Sequence, residues 1–175
     1  LGPLQAADPA TATALAVREL AGSPATVGIE AGEGARFNAP LTLLDELRAA
    51  MGGVSFIDGT TAIQHTRMIK TEWEASRLRK ACKATEDSIE AAFARVKPDE
   101  TTESDLARWI AAGMAERGVD RISYLTIISG DAKYSTFNAY ATGRIIRRGD
   151  IVLADISGHI EGYASDLTRT AIVGR

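Results

Sequence analysis

Two aspartates, Asp155 and Asp166, stand in the stretch LADISGHIEGYASDLTRT, residues 153–170. Each lies in or beside a run that otherwise has the character of a buried strand, IVLADI before the turn and YASDLTRTAIV after it. Their separation along the chain is odd. A hairpin with its turn centred between Ile160 and Glu161 therefore sets them directly opposite each other, Cβ atoms about 5 Å apart on one face. Ile-Glu is a poor tight-turn pair, so a wider loop is expected there. Two carboxylates that close repel by about 3 kcal/mol at an effective dielectric near 20, and removal from water adds to the cost. A shared proton, an arginine or a divalent cation would offset it. A shared proton suits an acid dyad, but the Asp-Thr-Gly context of such dyads is absent. Arg169 is close in sequence, yet strand alternation points it away from Asp166. Thr168 and Thr170 fall on the same face as Asp166, where their hydroxyls could hold a metal-bound carboxylate or water. A metal ion uses most of these local residues. The same spacing also suits a surface hairpin with one aspartate in solvent and the other paired to Arg169.

Other chemistry-bearing residues weigh less. His159 lies between the aspartates at a turn position, which suits a solvated imidazole better than a ligand. His65 is expected to be structural. Tyr134, Phe137 and Tyr140 lie in the irregular segment GDAKYSTFNAYATGR and either line a substrate pocket or pack over the core. That segment lacks the Gly-Lys-Ser/Thr pattern of a phosphate loop. The single cysteine, Cys82, excludes an internal disulfide and sits in a predicted helix as a small core residue.

The elements that must position these residues follow from punctuation and periodicity. Asp8-Pro9 starts a helix that ends before Gly22, TVGIE is a short strand, APLTLLDELRAAM a second helix and VSFID a second strand. This order is an α/β layer. Residues 59–70 form a predicted linker with a short helical turn. A long helix follows from Thr71 to Arg95, opened by a Thr71/Glu74 capping box and striped by Leu78, Cys82, Thr85, Ile89 and Phe93. TESDLARWIAAGMAERG is a further helix, and SYLTIIS a strand that precedes the aspartate strands. The fold class is thus α/β (α+β).

Composition bounds the partners. The 175 residues are 45% hydrophobic with a net charge of −3, enough for one ordinary core or two small ones and without the basic run that nucleic acid would require. No apolar run has membrane-spanning length, and the N-terminal stretch lacks signal-peptide character. A cytoplasmic protein is the expectation. The absence of an initiator Met and the stop soon after the aspartate strands suggest a piece of a longer chain.

The ordered string RRGDIVLADISGHIEGYASDLTRTAIVG, residues 147–174, closely resembles the first metal-binding strand pair of the pita-bread metallohydrolases, the family of aminopeptidase P, prolidase and creatinase. RMIKTEWEASRLRKA, residues 67–81, resembles that family's entry into its catalytic domain. VGIEAGEGARFNAPLTLLDELRAAMGGVSFID, residues 27–58, resembles the end of its N-terminal domain. The resemblance implies residues 1–66 as the end of a creatinase-like N-terminal domain and 67–175 as the first half of a pita-bread catalytic domain. It implies that Asp155 and Asp166 ligate metal, Asp166 bridging two divalent ions of Mn, Co, Zn or Fe, whose water attacks an amide such as an Xaa-Pro bond. Family members commonly form homodimers, which is the expectation here. The family draws a His and two Glu ligands from further along its chain. The metal site is therefore expected to be incomplete or empty in this chain, and the chain alone inactive. Where peptidase members carry a substrate-binding His, counting back from Gly149-Asp150 gives Asn138. That substitution also admits a relative acting on a small amide or amidine, or a catalytically silent module that binds peptide or protein partners.

Overall fold

The computed structural model describes residues 8–21, 26–33, 35, 39–130 and 139–174. The chain forms two compact units, Leu1–Ile69 and Lys70–Arg175. Among the described residues no helix is long and apolar enough to cross a membrane.

The N-terminal unit contains α1 (Pro9–Ala21), β1 (Thr26–Ile29), α2 (Leu41–Ala50), β2 (Ser55–Asp58) and α3 (Thr60–Met68). Asp8 starts α1, its Oδ1 accepting from Thr11 N at 2.9 Å. The two strands pair in parallel, Thr26 with Ser55 through Ile29 with Asp58, as strands joined by a crossover helix do. Helix α3 replaces the expected linker. Thr60 is its one buried residue, so it has no apolar stripe for a sequence reading to find. Local bonds start it: Asp58 Oδ1 accepts from Thr60 N at 2.9 Å and Thr60 Oγ1 from Gly32 N at 2.8 Å.

The C-terminal unit contains α4 (Glu72–Phe93), α5 (Glu103–Glu116), β3 (Arg121–Ser129), β4 (Ile151–Ile160), β5 (Tyr163–Ala164) and β6 (Leu167–Ile172). Both helices open with reciprocal caps, Thr71 with Glu74 and Thr102 with Asp105. The sheet is antiparallel, with β4 between β3 on one side and β5 and β6 on the other. One sheet face carries the core: Ile127, Val152, Ala154 and Ile156 meet Ile89, Leu106, Ile110 and Met114 of the helices. The buried stripe of α4 differs from expectation. It runs through Ala81, Ala84, Thr85, Ser88, Ile89 and Ala92, while Leu78, Cys82 and Phe93 are only half-buried. Small residues win this face because helix and sheet approach closely. Thr85 Oγ1 of α4 would lie 3.5 Å from a Cβ at Gly158 and is 2.8 Å from Ser165 Oγ.

A buried carboxylate joins α5 to the sheet. Glu103 is fully buried. Its Oε1 accepts from Ser129 N (3.1 Å) and Oγ (2.7 Å), and its Oε2 from Thr142 N (2.9 Å) and Oγ1 (2.7 Å). Arg144 extends the network, donating to Ser129 Oγ at 2.7 Å and to both Asp150 oxygens at 2.7 and 3.1 Å. The Gly149-Asp150 turn that precedes β4 is thereby tied to the end of β3.

Glu103→Ala would take the acceptor from two backbone N–H groups and two hydroxyls, of which the Ser129 pair is buried. We expect it to lower the unfolding free energy by about 3 kcal/mol in urea denaturation, and a loss below about 1 kcal/mol would contradict this account. Arg144, with the Arg147 N–H, holds the Asp150 carboxyl below the usual carboxylate range against its desolvation. A depressed folded pKa stabilises above about pH 4 and is lost as pH falls through the folded value. Asp150→Asn is therefore expected to flatten the fall of the urea midpoint between about pH 5 and pH 2.

Candidate metal centre

The two aspartates reach one sheet face by a register that differs from the expected one. Ile160 pairs with Tyr163 and His159 with Ala164 across a two-residue turn, Glu161-Gly162. Both turn residues have positive φ, 51° and 85°, the conformation whose twist matches a hairpin. Gly162 supplies it freely. Glu161 is held in it by donating its N–H to Asp120 Oδ2 at 2.6 Å and by accepting from Arg77 Nε at 2.8 Å. The wider loop centred between Ile160 and Glu161 is thus corrected. Asp155 pairs with Thr168, not with Asp166. Because the register moved by an even number of residues, both aspartates keep the same face. They are diagonal rather than directly opposed.

Asp166 lies between β5 and β6, where Ser165 turns inward. Ser165 is buried; its N–H donates to Gly158 O at 2.8 Å, its Oγ accepts from Gly158 N at 3.0 Å and contacts Thr85 Oγ1 at 2.8 Å. Fixing Ser165 against α4 and β4 turns Asp166 out to the opposite, exposed side.

Tyr124 of β3 lies between the carboxylates. Its hydroxyl donates to Asp166 Oδ1 at 2.5 Å and lies 3.3 Å from Asp155 Oδ1. Thr168 Oγ1 donates to Asp155 Oδ1 at 2.9 Å. A phenol carries one proton, so it fully serves one carboxylate at a time. Arg169 points away and donates to Glu86 Oε1 at 2.6 Å. Among the described residues no Lys or Arg pairs with Asp155 or Asp166. The hydrogen bond to Asp166, then desolvation and the charges of both aspartates, push the Tyr124 phenol well above the usual tyrosine range.

Thr170 is exposed on the same face as Thr168, opposite Leu153, and makes no hydrogen bond to either aspartate among the described residues. Tyr140 is 86% exposed. Asn138, Phe137 and Tyr134 lie outside the described residues. His159 contacts Arg121 and Ser123 instead of the carboxylates. Sequence reasoning missed Tyr124. Its signal was the apolar spacing Ile122, Leu125, Ile127, three then two, which marks a β-bulge that a regular strand would not show.

Asp155 and Asp166 offer hard oxygen donors on one face, with a phenol and a hydroxyl to orient them, which fits part of a divalent-cation site. Among the described residues no group of three or more His, Cys, Asp and Glu converges. The sequence profile of metallopeptidase family M24 matches residues 76–175. The chain belongs to metallopeptidase family M24. Among its relatives, an Xaa-Pro dipeptidase of Pyrococcus horikoshii is 30% identical over 139 residues, 77% of this chain and 38% of that protein. A probable dipeptidase, PepE, of Mycobacterium tuberculosis is 34% identical over 123 residues, 70% of this chain and 32% of that protein. The crystal structure of dipeptidase PepE from Mycobacterium ulcerans matches 97% of this chain and 43% of its own, with a TM-score of 0.73 and 29% identity. The M24 chain described here therefore spans well under half the length of these relatives, and its fold is the corresponding part of the pita-bread architecture.

Tyrosine absorbance titration tests the phenol bridge. A raised folded pKa stabilises below the unfolded value near 10 and is lost as pH rises through the folded value. Tyr124→Phe is expected to remove the last phenol to titrate and to lower stability at pH 7 by about 1 kcal/mol, an effect discounted for partial exposure. An unchanged titration curve would contradict the bridge.

Proposed function

We propose that this chain is the part of an M24 metallopeptidase that supplies two carboxylate ligands, and that the intact protein hydrolyses an amide bond of the Xaa-Pro type. The observation carrying this reading is the pair Asp155 and Asp166 on one sheet face, sharing Tyr124 with no cationic side chain beside them among the described residues. The names of the relatives, Xaa-Pro dipeptidase and dipeptidase, support the substrate class.

In this reading Asp155 and Asp166 hold divalent cations of the Mn, Co, Zn or Fe class. When bound, the cations would supply Lewis acidity and an acidified water at neutral pH. The chain's own residues set the stage. Thr168 fixes the rotamer of Asp155, and Tyr124 fixes that of Asp166 and screens the two charges from each other. β4 and β6 keep the pair at ladder spacing, and Ser165 anchors the strand break that presents Asp166. Two carboxylates and water fall short of the coordination such ions take, so the 175-residue chain alone has no hydrolytic activity.

Mn²⁺ binding to the 175-residue chain tests the ligand assignment independently of turnover. Free-ion electron paramagnetic resonance is expected to show weak binding, reduced at least about tenfold in Asp155→Asn and abolished in the double variant with Asp166→Asn. Equal binding by the double variant, or hydrolysis of Ala-Pro by the chain alone, would contradict the proposal.

A further inference from the structure

The sheet face that carries Tyr124 and Asp155 continues toward the Glu161-Gly162 turn as a second polar cluster. Arg121 of β3 and His159 of β4 are cross-strand partners there. Arg121 Nη2 lies 3.1 Å from His159 Nε2 and 3.4 Å from Nδ1. Ser123 Oγ contacts His159 Nε2 and lies 3.2 Å from Ser157 Oγ. Ser157 pairs with Tyr124, so this cluster abuts the carboxylate pair.

A β-bulge builds the cluster. Pairing runs Arg121 with His159 and Ile122 with Gly158, then skips Ser123 and resumes with Tyr124 and Ser157. In a regular strand Ser123 and Tyr124 would take opposite faces. The extra residue brings Arg121, Ser123 and Tyr124 to the same one.

The charge balance of the cluster is unsatisfied. Arg77, Arg144 and Arg169 each pair with a carboxylate, whereas Arg121 has none in ion-pair range among the described residues. The neighbouring acids are engaged elsewhere, Asp120 with the Glu161 N–H and Glu161 with Arg77. A guanidinium, an imidazole and a hydroxyl thus converge without an anionic acceptor, the donor set that a carboxylate satisfies. Asp155 and His159 are four residues apart on one strand, about 13 Å. An extended peptide needs about four residues to cover that span, more than a dipeptide provides.

We infer that Arg121, Ser123 and His159 form a subsite for the terminal carboxylate of a peptide substrate about four residues long, whose scissile bond lies at the Asp155–Asp166 pair. This inference rests on the peptidase reading and narrows its substrate to oligopeptides.

The chain has only two histidines, and His65 lies in the N-terminal unit, so imidazole NMR of the 175-residue chain at fixed pH reports on His159 with an internal reference. Added Ala-Pro-Ala-Ala is expected to shift the His159 resonances saturably, together with the Tyr124 and Asp155 amides, and to leave His65 unmoved. Its C-terminal amide should give at most about a fifth of the shift, and Arg121→Ala should abolish it. Ala-Pro should move His159 but not the Tyr124 and Asp155 amides. An equal response to the amide, a response surviving Arg121→Ala, or inorganic phosphate matching the peptide would overturn the subsite. Identical amide shifts with Ala-Pro would overturn the length assignment. Mn²⁺ binding indifferent to Asp155→Asn and Asp166→Asn would instead defeat the peptidase reading and leave the carboxylate subsite standing.

Discussion

The C-terminal unit is organised around the repulsion between two like charges on one sheet face. Asp155 and Asp166 are close enough to share a phenol, and no guanidinium or ammonium of the described residues relieves them. Such a pair persists only if the backbone prevents the two side chains from separating and if something between them carries positive character. The Tyr124 proton supplies the second condition in part. The first is met by the ladder of β4 with β6, which sets Asp155 beside Thr168, and by the inward turn of Ser165, which leaves Asp166 no route into the core.

The same constraint explains the neighbouring structure. A sheet that presents acids on one face must be held rigidly from the other, and α4 does this with small residues that let it sit close to Gly158 and Ser165. At the opposite end of β4 the buried Glu103 and the Arg144–Asp150 pair join three segments by charged hydrogen bonds. A buried carboxylate is tolerated there because each oxygen receives a backbone N–H and a hydroxyl of one residue. The Gly149-Asp150 turn of the family pattern thus acquires a physical role: its Asp receives Arg144 and starts the strand that carries Asp155.

Membership in family M24 and the matched span place this chain as a portion of a longer architecture. The described residues bring two carboxylates together, and no larger cluster of ligand side chains forms among them. The open polar face is what such a portion presents: acids at its centre, a Ser-His-Arg cluster at one side, and apolar Ile151 and Ile172 partly exposed at the other.

The sequence by itself determined the elements that bear Asp155 and Asp166. The capping boxes at Thr71 and the polar starts of the helices are local, and so is the alternation that sends Arg169 away from Asp166. The shared face of the two aspartates was legible because side-chain direction depends only on whether a register is even or odd. Tertiary structure alone decided the register itself, since Glu161 adopts positive φ only with Asp120 and Arg77 in place. It decided the closeness of α4 to the sheet, which depends on Gly158 and Ser165 lying opposite Thr85. It also decided the role of Tyr124, because a bulge at Ser123 and residues far apart in the chain must meet before one phenol can serve two acids.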